Sequence, residues 1–207
     1  MSDGNDLQEL RAEFGRIDIY VFDQLLRGHL GTEDRVLDAG CGGGRNSVYL
    51  MRRGAEVFGV DVDPEQIQRI RRLKAHVAPG LPDENFLVSD LASLVFPDGF
   101  FDAVVCSAVL HFAADETAFE SMVAEMFRVL RPGGLFFARL ASTIGLEGGA
   151  VPLDGRWHQL PDGSERFLVD EAYLLRTTAE LGAEWVDPLK TTVVQGMRSM
   201  TTWVLRK

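Results

Sequence analysis

The chain has 207 residues, enough to bury a full core as one domain or one domain with a modest insertion. Its 21 Lys and Arg against 31 Asp and Glu leave a formal charge of −10, which argues against tight binding to a nucleic-acid backbone. The acidic start MSDGNDLQELR lacks the charged-then-apolar pattern of a secretory leader, and no run of about 18 apolar residues is available to span a membrane. Two unclustered cysteines, Cys41 and Cys106, suit a reducing cytoplasm and not a disulfide framework. His29, His76, His111 and His158 are scattered and show no metal-ligand spacing, so no metal is expected.

From about residue 7 to 30, apolar and polar positions at helical spacing predict a helical segment ahead of the first strand. RVLDAG predicts a short buried strand over Val36 to Ala39, and RNSVYLMRRG a helix closed at Gly54. AEVFGVD is a second strand. In DPEQIQRIRRLK, Asp63 can cap a helix, Pro64 fits its first turn and Gln66 stands at the capping-box position. NFLVSD and FDAVVCSAV read as the third and fourth strands. Phe119, Met122, Val123, Met126 and Leu130 then recur at helical spacing. RPGG reads as a turn before a fifth strand, LFFARL. The stretch from about 142 to 168 is rich in glycine, proline and turn signals and reads as irregular. Asp170 starts a further helix that Gly182 closes, and LKTTVVQ and TTWVLRK form a final pair of strands joined by GMRSM. Strands alternating with helices predict an α/β fold with a doubly wound, mostly parallel sheet, and the short final connections add an antiparallel strand at one edge.

The densest signal is LDAGCGGGRN, residues 37 to 46, where four glycines follow an apolar strand. Glycine in a regular element costs roughly 0.5–1 kcal/mol relative to alanine, and the return is backbone that a ligand can approach closely. A phosphate-binding loop needs Lys followed by Ser or Thr at its end, but Arg45 and Asn46 stand there. The dinucleotide fingerprint G-x-G-x-x-G, started at Gly40, fails at Arg45, which disfavours a nicotinamide oxidoreductase. What stands is Asp38 followed by Gly40, Gly42 and Gly44.

VLDAGCGGGRNSVYL resembles the first motif of the class I S-adenosylmethionine-dependent methyltransferases. VFGVDVD resembles their acidic second strand, FLVSDLASLVFPDGFFDAVVCSAVLHF their third and fourth strands, and MFRVLRPGGLFFARL the stretch before strand five. The resemblance runs from about residue 35 to 140, and the GRNS wording is similar to small-molecule, methyltransferase-11 and tellurite-resistance-type members. It implies a Rossmann-like, seven-stranded, mostly parallel sheet, with S-adenosylmethionine as cofactor and S-adenosylhomocysteine as product. It also implies a cofactor site from Asp38, Gly40, Cys41, Gly42, Gly44, Asn46, Asp61, Val62, Ile67, Asp90, Leu91 and Ser107. The glycines would pass close to the methionine part. Asp61 would accept from both ribose hydroxyls, Asp90 and the Leu91 backbone would meet the adenine, Ile67 would pack on it, and the Ser107 carbonyl would meet the cofactor's amino group. Plainer uses stand beside these. Asp61 can partner the cap of the next helix, Asp90 can cap a turn, and Cys41 can be a small loop residue.

Methyl transfer requires positioning before any fixed catalytic motif, and none is visible. Residues 1–34 are expected to be a helical lid, 35–207 the cofactor-binding domain, and about 142–168 an insertion on the acceptor side. His111 is the candidate base, since an ordinary histidine titrates near neutrality. Tyr20, Arg139, Trp157 and His158 are the candidate acceptor residues, with Arg16, Arg156 and Arg166 on the same segments. The equivalent of the Asn-Pro-Pro-Tyr motif of base methylation reads CSAVLHF here, which argues against nucleic acid as the acceptor. The expectation is a cytoplasmic small-molecule methyltransferase, monomer or homodimer. A non-catalytic S-adenosylmethionine-binding regulatory or partner subunit is the alternative.

Overall fold

A computed structural model describes residues 4–146 and 148–207. The helical segment ahead of the first strand is two helices, α1 (Gly4–Phe14) and α2 (Ile19–Leu26), not one. The break has a local cause. Gly15 takes a left-handed φ of 65°, and the Asp18 carboxylate accepts the Tyr20 N–H and so starts a second helix. Then follow β1 (Arg35–Ala39), the short α3 (Val48–Arg52), β2 (Glu56–Asp61) and α4 (Pro64–Val77). Asp63 caps α4 as expected, accepting from the Glu65 N–H at 2.8 Å. Next come β3 (Phe86–Val88), β4 (Phe101–Ser107), a 3-10 turn (Leu110–Phe112), α5 (Glu116–Val129) and β5 (Leu130–Ala141).

The RPGG stretch is not a free turn. It lies inside β5, where pairing with β4 shifts register between Phe101 and Ala103, and Gly133 takes a φ of 74° in that irregularity. The stretch expected to be irregular folds into a small antiparallel sheet of β6 (Val151–Pro152), β7 (Trp157–Gln159) and β8 (Glu165–Phe167). Its turn residues had masked strands of only two or three residues. Beneath it Leu146, Leu160 and Leu168 pack with Ala141 as a separate small core. The chain ends with α6 (Glu171–Glu180), β9 (Glu184–Trp185), β10 (Lys190–Val194) and β11 (Arg198–Arg206).

The main sheet has the order β10-β11-β5-β4-β1-β2-β3, with β9 added on β11. Pairings among β1 to β5 are parallel, and those made by β11 are antiparallel. The strand running against the rest is therefore β11, one in from the edge that β9 and β10 form.

Side chains alternate across each strand, so Leu37, Val104, Phe136 and Trp203 face α5 and α6, while Val36, Val105, Phe137 and Val204 face α2, α3 and α4. Each fully buried large apolar side chain contributes about 1.5–3 kcal/mol. Trp203 brings a polar group inside, and its indole N–H donates to Thr178 Oγ1 at 2.9 Å. Covered on both faces, the sheet leaves open the carboxyl ends of its parallel strands, beside the point where the order reverses between β1 and β4.

Candidate active site

The loop after β1 carries the glycines, and each serves a different need. Gly40, Gly42 and Gly44 all take left-handed φ values of 75°, 51° and 84°. A Cβ on Gly40 would stand 2.3 Å from Val109 Cγ2, and one on Gly44 would stand 2.8 Å from Ile70 Cγ1. Those two let the loop close on its own fold. A Cβ on Gly42 would meet nothing within 4 Å, so Gly42 faces open space. Its N–H donates to Asp61 Oδ2 at 2.9 Å, and the Asp63 N–H donates to Asp61 Oδ1 at 3.0 Å. The Asp61 carboxylate thus ties two loops together. An ionised carboxylate accepts about four hydrogen bonds, so two sites remain for a ligand.

A cavity of about 460 Å³ opens at these strand ends, inside the range of about 300–1,000 Å³ usual for small-molecule sites. Gly40, Asp61, Val62, Asp90, Leu91 and Ser107 line it, together with Ser89, Ala108, Val109, Phe112 and Met122. Asp90 keeps part of its plain role, since Oδ1 accepts the Ala92 N–H at 2.9 Å, yet the side chain is exposed to the cavity. Phe112 and Met122 were missed. Met122 sits in the apolar stripe of α5, where a site residue cannot be told from a core residue by spacing.

Six residues expected at the cofactor do not line this cavity: Gly42 and Gly44 of the loop, and Asp38, Cys41, Asn46 and Ile67. Asp38 is 3% exposed and accepts the Ser47 hydroxyl at 2.6 Å, and burial pushes its carboxyl up to about 6. Cys41 is buried behind Gly59, with its thiol pushed up by burial. Ile67, 2% exposed, belongs to the core under α4. Asn46 turns the other way, and its Oδ1 accepts the Asp18 N–H at 3.0 Å.

A second cavity of about 340 Å³ adjoins the first, with Ala108 lining both. Ala108 has a φ of 65°, a conformation that costs a non-glycine residue about 1–3 kcal/mol and tends to mark sites where strain serves a purpose. The second cavity is lined by His111, Arg139 and Ala141 from the sheet end, by Leu160, Asp162, Ser164 and Arg166 from the insertion, and by Thr192, Val194, Arg198, Ser199 and Met200 from the last two strands.

His111 is 7% exposed, and its Nδ1 accepts the Ala141 N–H at 3.3 Å, so the proton of the neutral ring sits on Nε2. Burial, with a smaller push from Arg166, lowers its pKa to about 4. The ring is therefore neutral at physiological pH and offers a donor, not the expected base.

Arg139 is only partly available. One of its terminal nitrogens donates to Asp18 Oδ2 at 3.0 Å, its guanidinium lies 5.2 Å from the Tyr20 ring centre, and its buried Nε has no partner among the described residues. Asp18 was not foreseen and is the hub here. Its Oδ2 also accepts from Ser107 Oγ at 3.3 Å and lies 3.8 Å from Arg45, while Tyr20 Oη and Thr192 Oγ1 share a hydrogen bond of 2.6 Å. Together these seat the start of α2 over the ends of β4, β5 and β10.

Trp157 and His158 do not line the second cavity. The Trp157 indole N–H donates to the Ala114 carbonyl at 2.8 Å, and His158 Nδ1 donates to the Arg156 carbonyl at 2.9 Å. Both side chains hold the insertion in place. No helix among the described residues is long and apolar enough to cross a membrane.

Residues 37–138 match the family model described as a methyltransferase domain. The demethylmenaquinone methyltransferase of Thermus thermophilus is 42% identical over 102 residues, covering 48% of this chain and 44% of that protein. The ubiquinone biosynthesis O-methyltransferase of Xanthomonas oryzae pv. oryzae is 38% identical over 105 residues, covering 50% of this chain and 41% of that protein. The chain thus spans less than half the length of these curated relatives. In fold it is similar to the Burkholderia thailandensis 1,6-didemethyltoxoflavin-N1-methyltransferase, solved with 1,6-didemethyltoxoflavin and S-adenosylhomocysteine bound. The TM-score is 0.70 at 20% identity, covering 98% of this chain and 83% of that one. A parallel sheet with a glycine loop after β1 and a carboxylate ending β2, matched by that family model, identifies residues 37–138 as a methyltransferase domain of the class I S-adenosylmethionine-dependent type.

Proposed function

We propose that the chain transfers a methyl group from S-adenosylmethionine to a small-molecule acceptor by in-line displacement. The observation that carries the reading is the pair of cavities meeting at Ala108, one at the glycine loop and the carboxylates, the other beneath the insertion. Asp61 would take the ribose hydroxyls on its two remaining acceptor sites. Asp90 and the Leu91 backbone would meet the adenine, Val62 would cover it, and the open face of Gly42 would leave room for the methionine part. When bound, S-adenosylmethionine supplies a methyl carbon activated by its sulfonium.

The chain's own task is to bring the acceptor atom into line at the junction, and positioning alone can supply about 7–11 kcal/mol in favourable cases. His111 Nε2–H would orient the acceptor by donating to it. With Nδ1 accepting the Ala141 N–H, His111 itself would take no proton from the acceptor atom. The α1–α2 segment, described from residue 4 to 34, acts as the lid, latched by Asp18, and residues 142–146 and 148–168 form the acceptor wall; residues 1–3 of the expected lid and residue 147 of the expected insertion lie outside the described residues. The relatives named for ubiquinone and menaquinone synthesis support a small-molecule acceptor, as does the charge of −10, which also opposes a nucleic-acid partner. The chain acts in the cytoplasm as a monomer or homodimer.

Calorimetric titration with S-adenosylhomocysteine and with NAD tests the cofactor, and release of labelled methyl into a metabolite panel tests the transfer. Binding of the first, no binding of the second and a methylated small molecule are expected. Binding of NAD alone would overturn the reading.

A further inference from the structure

The second cavity carries a charge that the rest of the chain does not. On a protein of net −10, its wall holds Arg139, Arg166 and Arg198 against one carboxylate, Asp162. Arg139 is matched by Asp18 at 3.0 Å. Asp162 accepts both the N–H and the hydroxyl of Ser164, at 3.0 and 2.6 Å, and offsets at most one of the two remaining cations. Neither Arg166 nor Arg198 forms an ion pair among the described residues, so a surplus of positive charge faces the cavity.

Arg166 is also held in place. It donates to the Glu165 carbonyl at 2.6 Å, and its guanidinium lies 4.9 Å from the centre of the Phe112 ring, which lines the cofactor cavity. One donor of five is spent, and the planar fork left over matches a carboxylate in two-point geometry. Between the arginines the wall is apolar, with Leu160, Val194 and Met200.

We infer that the methyl acceptor is a small organic carboxylate with an apolar body, its carboxylate held by Arg166 and Arg198. This rests on the methyltransferase reading for the word acceptor, but the anion site is testable by itself. Ligand-observed NMR is run with benzoate, indole-3-acetate and adipate, each beside its amide (benzamide, indole-3-acetamide, adipamide), with and without saturating S-adenosylhomocysteine. At least one acid should bind tenfold or more tightly than its amide. Arg166→Gln combined with Arg198→Gln should erase that preference, and Arg198→Gln alone, on an exposed side chain, should reduce it at least threefold. Both variants should keep S-adenosylhomocysteine affinity within twofold and melt as the parent does. Equal binding of acids and amides, absence of acid binding, or an undiminished preference in the double variant overturns the inference. Failure of S-adenosylhomocysteine to bind, with acid preference intact, would instead remove the methyltransferase reading and leave the anion site standing.

Discussion

The two cavities share one wall residue and are built on different plans. The first takes most of its lining from the residues that directly follow β1, β2, β3 and β4, and its charges are carboxylates, Asp61 and Asp90. The second takes its lining from the end of β4, the end of β5, the inserted sheet and the last two strands, and its charges are mostly guanidiniums. Parallel strands deliver their carboxyl ends to one edge, so the first site needs only the right residue at a fixed offset from each strand. The second exists only after antiparallel pairings bring residues 160–166 and 192–200 to face residues 108–141. The first cavity is written locally and the second is written in tertiary contacts.

The largest effects should come from the glycine loop, where two neighbouring glycines do different work. Gly40→Ala adds a Cβ 2.3 Å from Val109 at a left-handed position, so it should cost roughly 2–5 kcal/mol of unfolding free energy, read by denaturant titration. Gly42→Val points into open space. It should leave stability within about 1–2 kcal/mol, the strain of its φ, but weaken S-adenosylhomocysteine binding by at least roughly 100-fold, about 2.7 kcal/mol by calorimetry. Unchanged binding in Gly42→Val would place the ligand elsewhere and break the contrast between the two regions.

That contrast also explains what the sequence made legible. Asp61, Val62, Asp90, Leu91 and Ser107 stand at strand ends and line the cavity as their positions implied. Ile67, placed at the adenine by the resemblance, did not, because it stands on the buried face of α4. Asn46 and Asp38 support the loop from behind, a role that spacing does not separate from ligand contact. On the acceptor side, Trp157 and His158 drew notice by residue type. The lining falls to Leu160, Asp162 and Arg166, whose facing depends on strands of three residues within a stretch of turn signals. Asp18 was invisible because its partners, Asn46, Ser107 and Arg139, lie 28 to 121 residues away.

Buried titratable groups sharpen the comparison through pH. Under the glycine loop, Asp38 has its pKa raised to about 6, so the stability it contributes is fully present below its unfolded value near 3.8 and is lost as pH rises through about 6. Beside the second cavity, His111 is lowered from 6.5 to about 4, so its contribution is present above 6.5 and is lost as pH falls through about 4. Each is worth about 3 kcal/mol across its window, and the signs oppose. In the parent these two contributions should therefore oppose each other between pH 4 and 6, on top of the decline toward acid from His29 and the lowered carboxylates such as Asp187. Relative to the parent, Asp38→Asn should decline toward acid, and His111→Gln toward neutral pH, both read as urea midpoints against pH. Parallel slopes in parent and both variants would show that neither group is buried as described.

Asp61→Asn keeps the shape of the side chain and removes its charge. The Gly42 and Asp63 N–H groups lose a charge-assisted acceptor, as would any ribose hydroxyls, so S-adenosylhomocysteine affinity should fall by about 1.5–3 kcal/mol. Acid-to-amide preference in the second cavity should be unchanged. A loss there as well would mean that the two cavities are coupled through more than Ala108.

The smallest effect tests where the acceptor wall ends. Trp157 packs against the main core and gives its indole N–H to the Ala114 carbonyl at 2.8 Å, bridging the inserted sheet to the approach to α5. Trp157→Phe keeps most of the apolar area and deletes one hydrogen bond, which should cost about 0.5–1.5 kcal/mol of stability. Acceptor KM should stay within twofold, since the side chain does not line the cavity. Leu160→Ala is the matched control from the same insertion. Leu160 lines the cavity and also packs in the small core with Ala141, so its loss should raise acceptor KM and lower stability together. If Trp157→Phe raises acceptor KM tenfold at unchanged stability, the wall extends outward past β7, and the boundary between scaffold and site within the insertion lies on the other side of that strand.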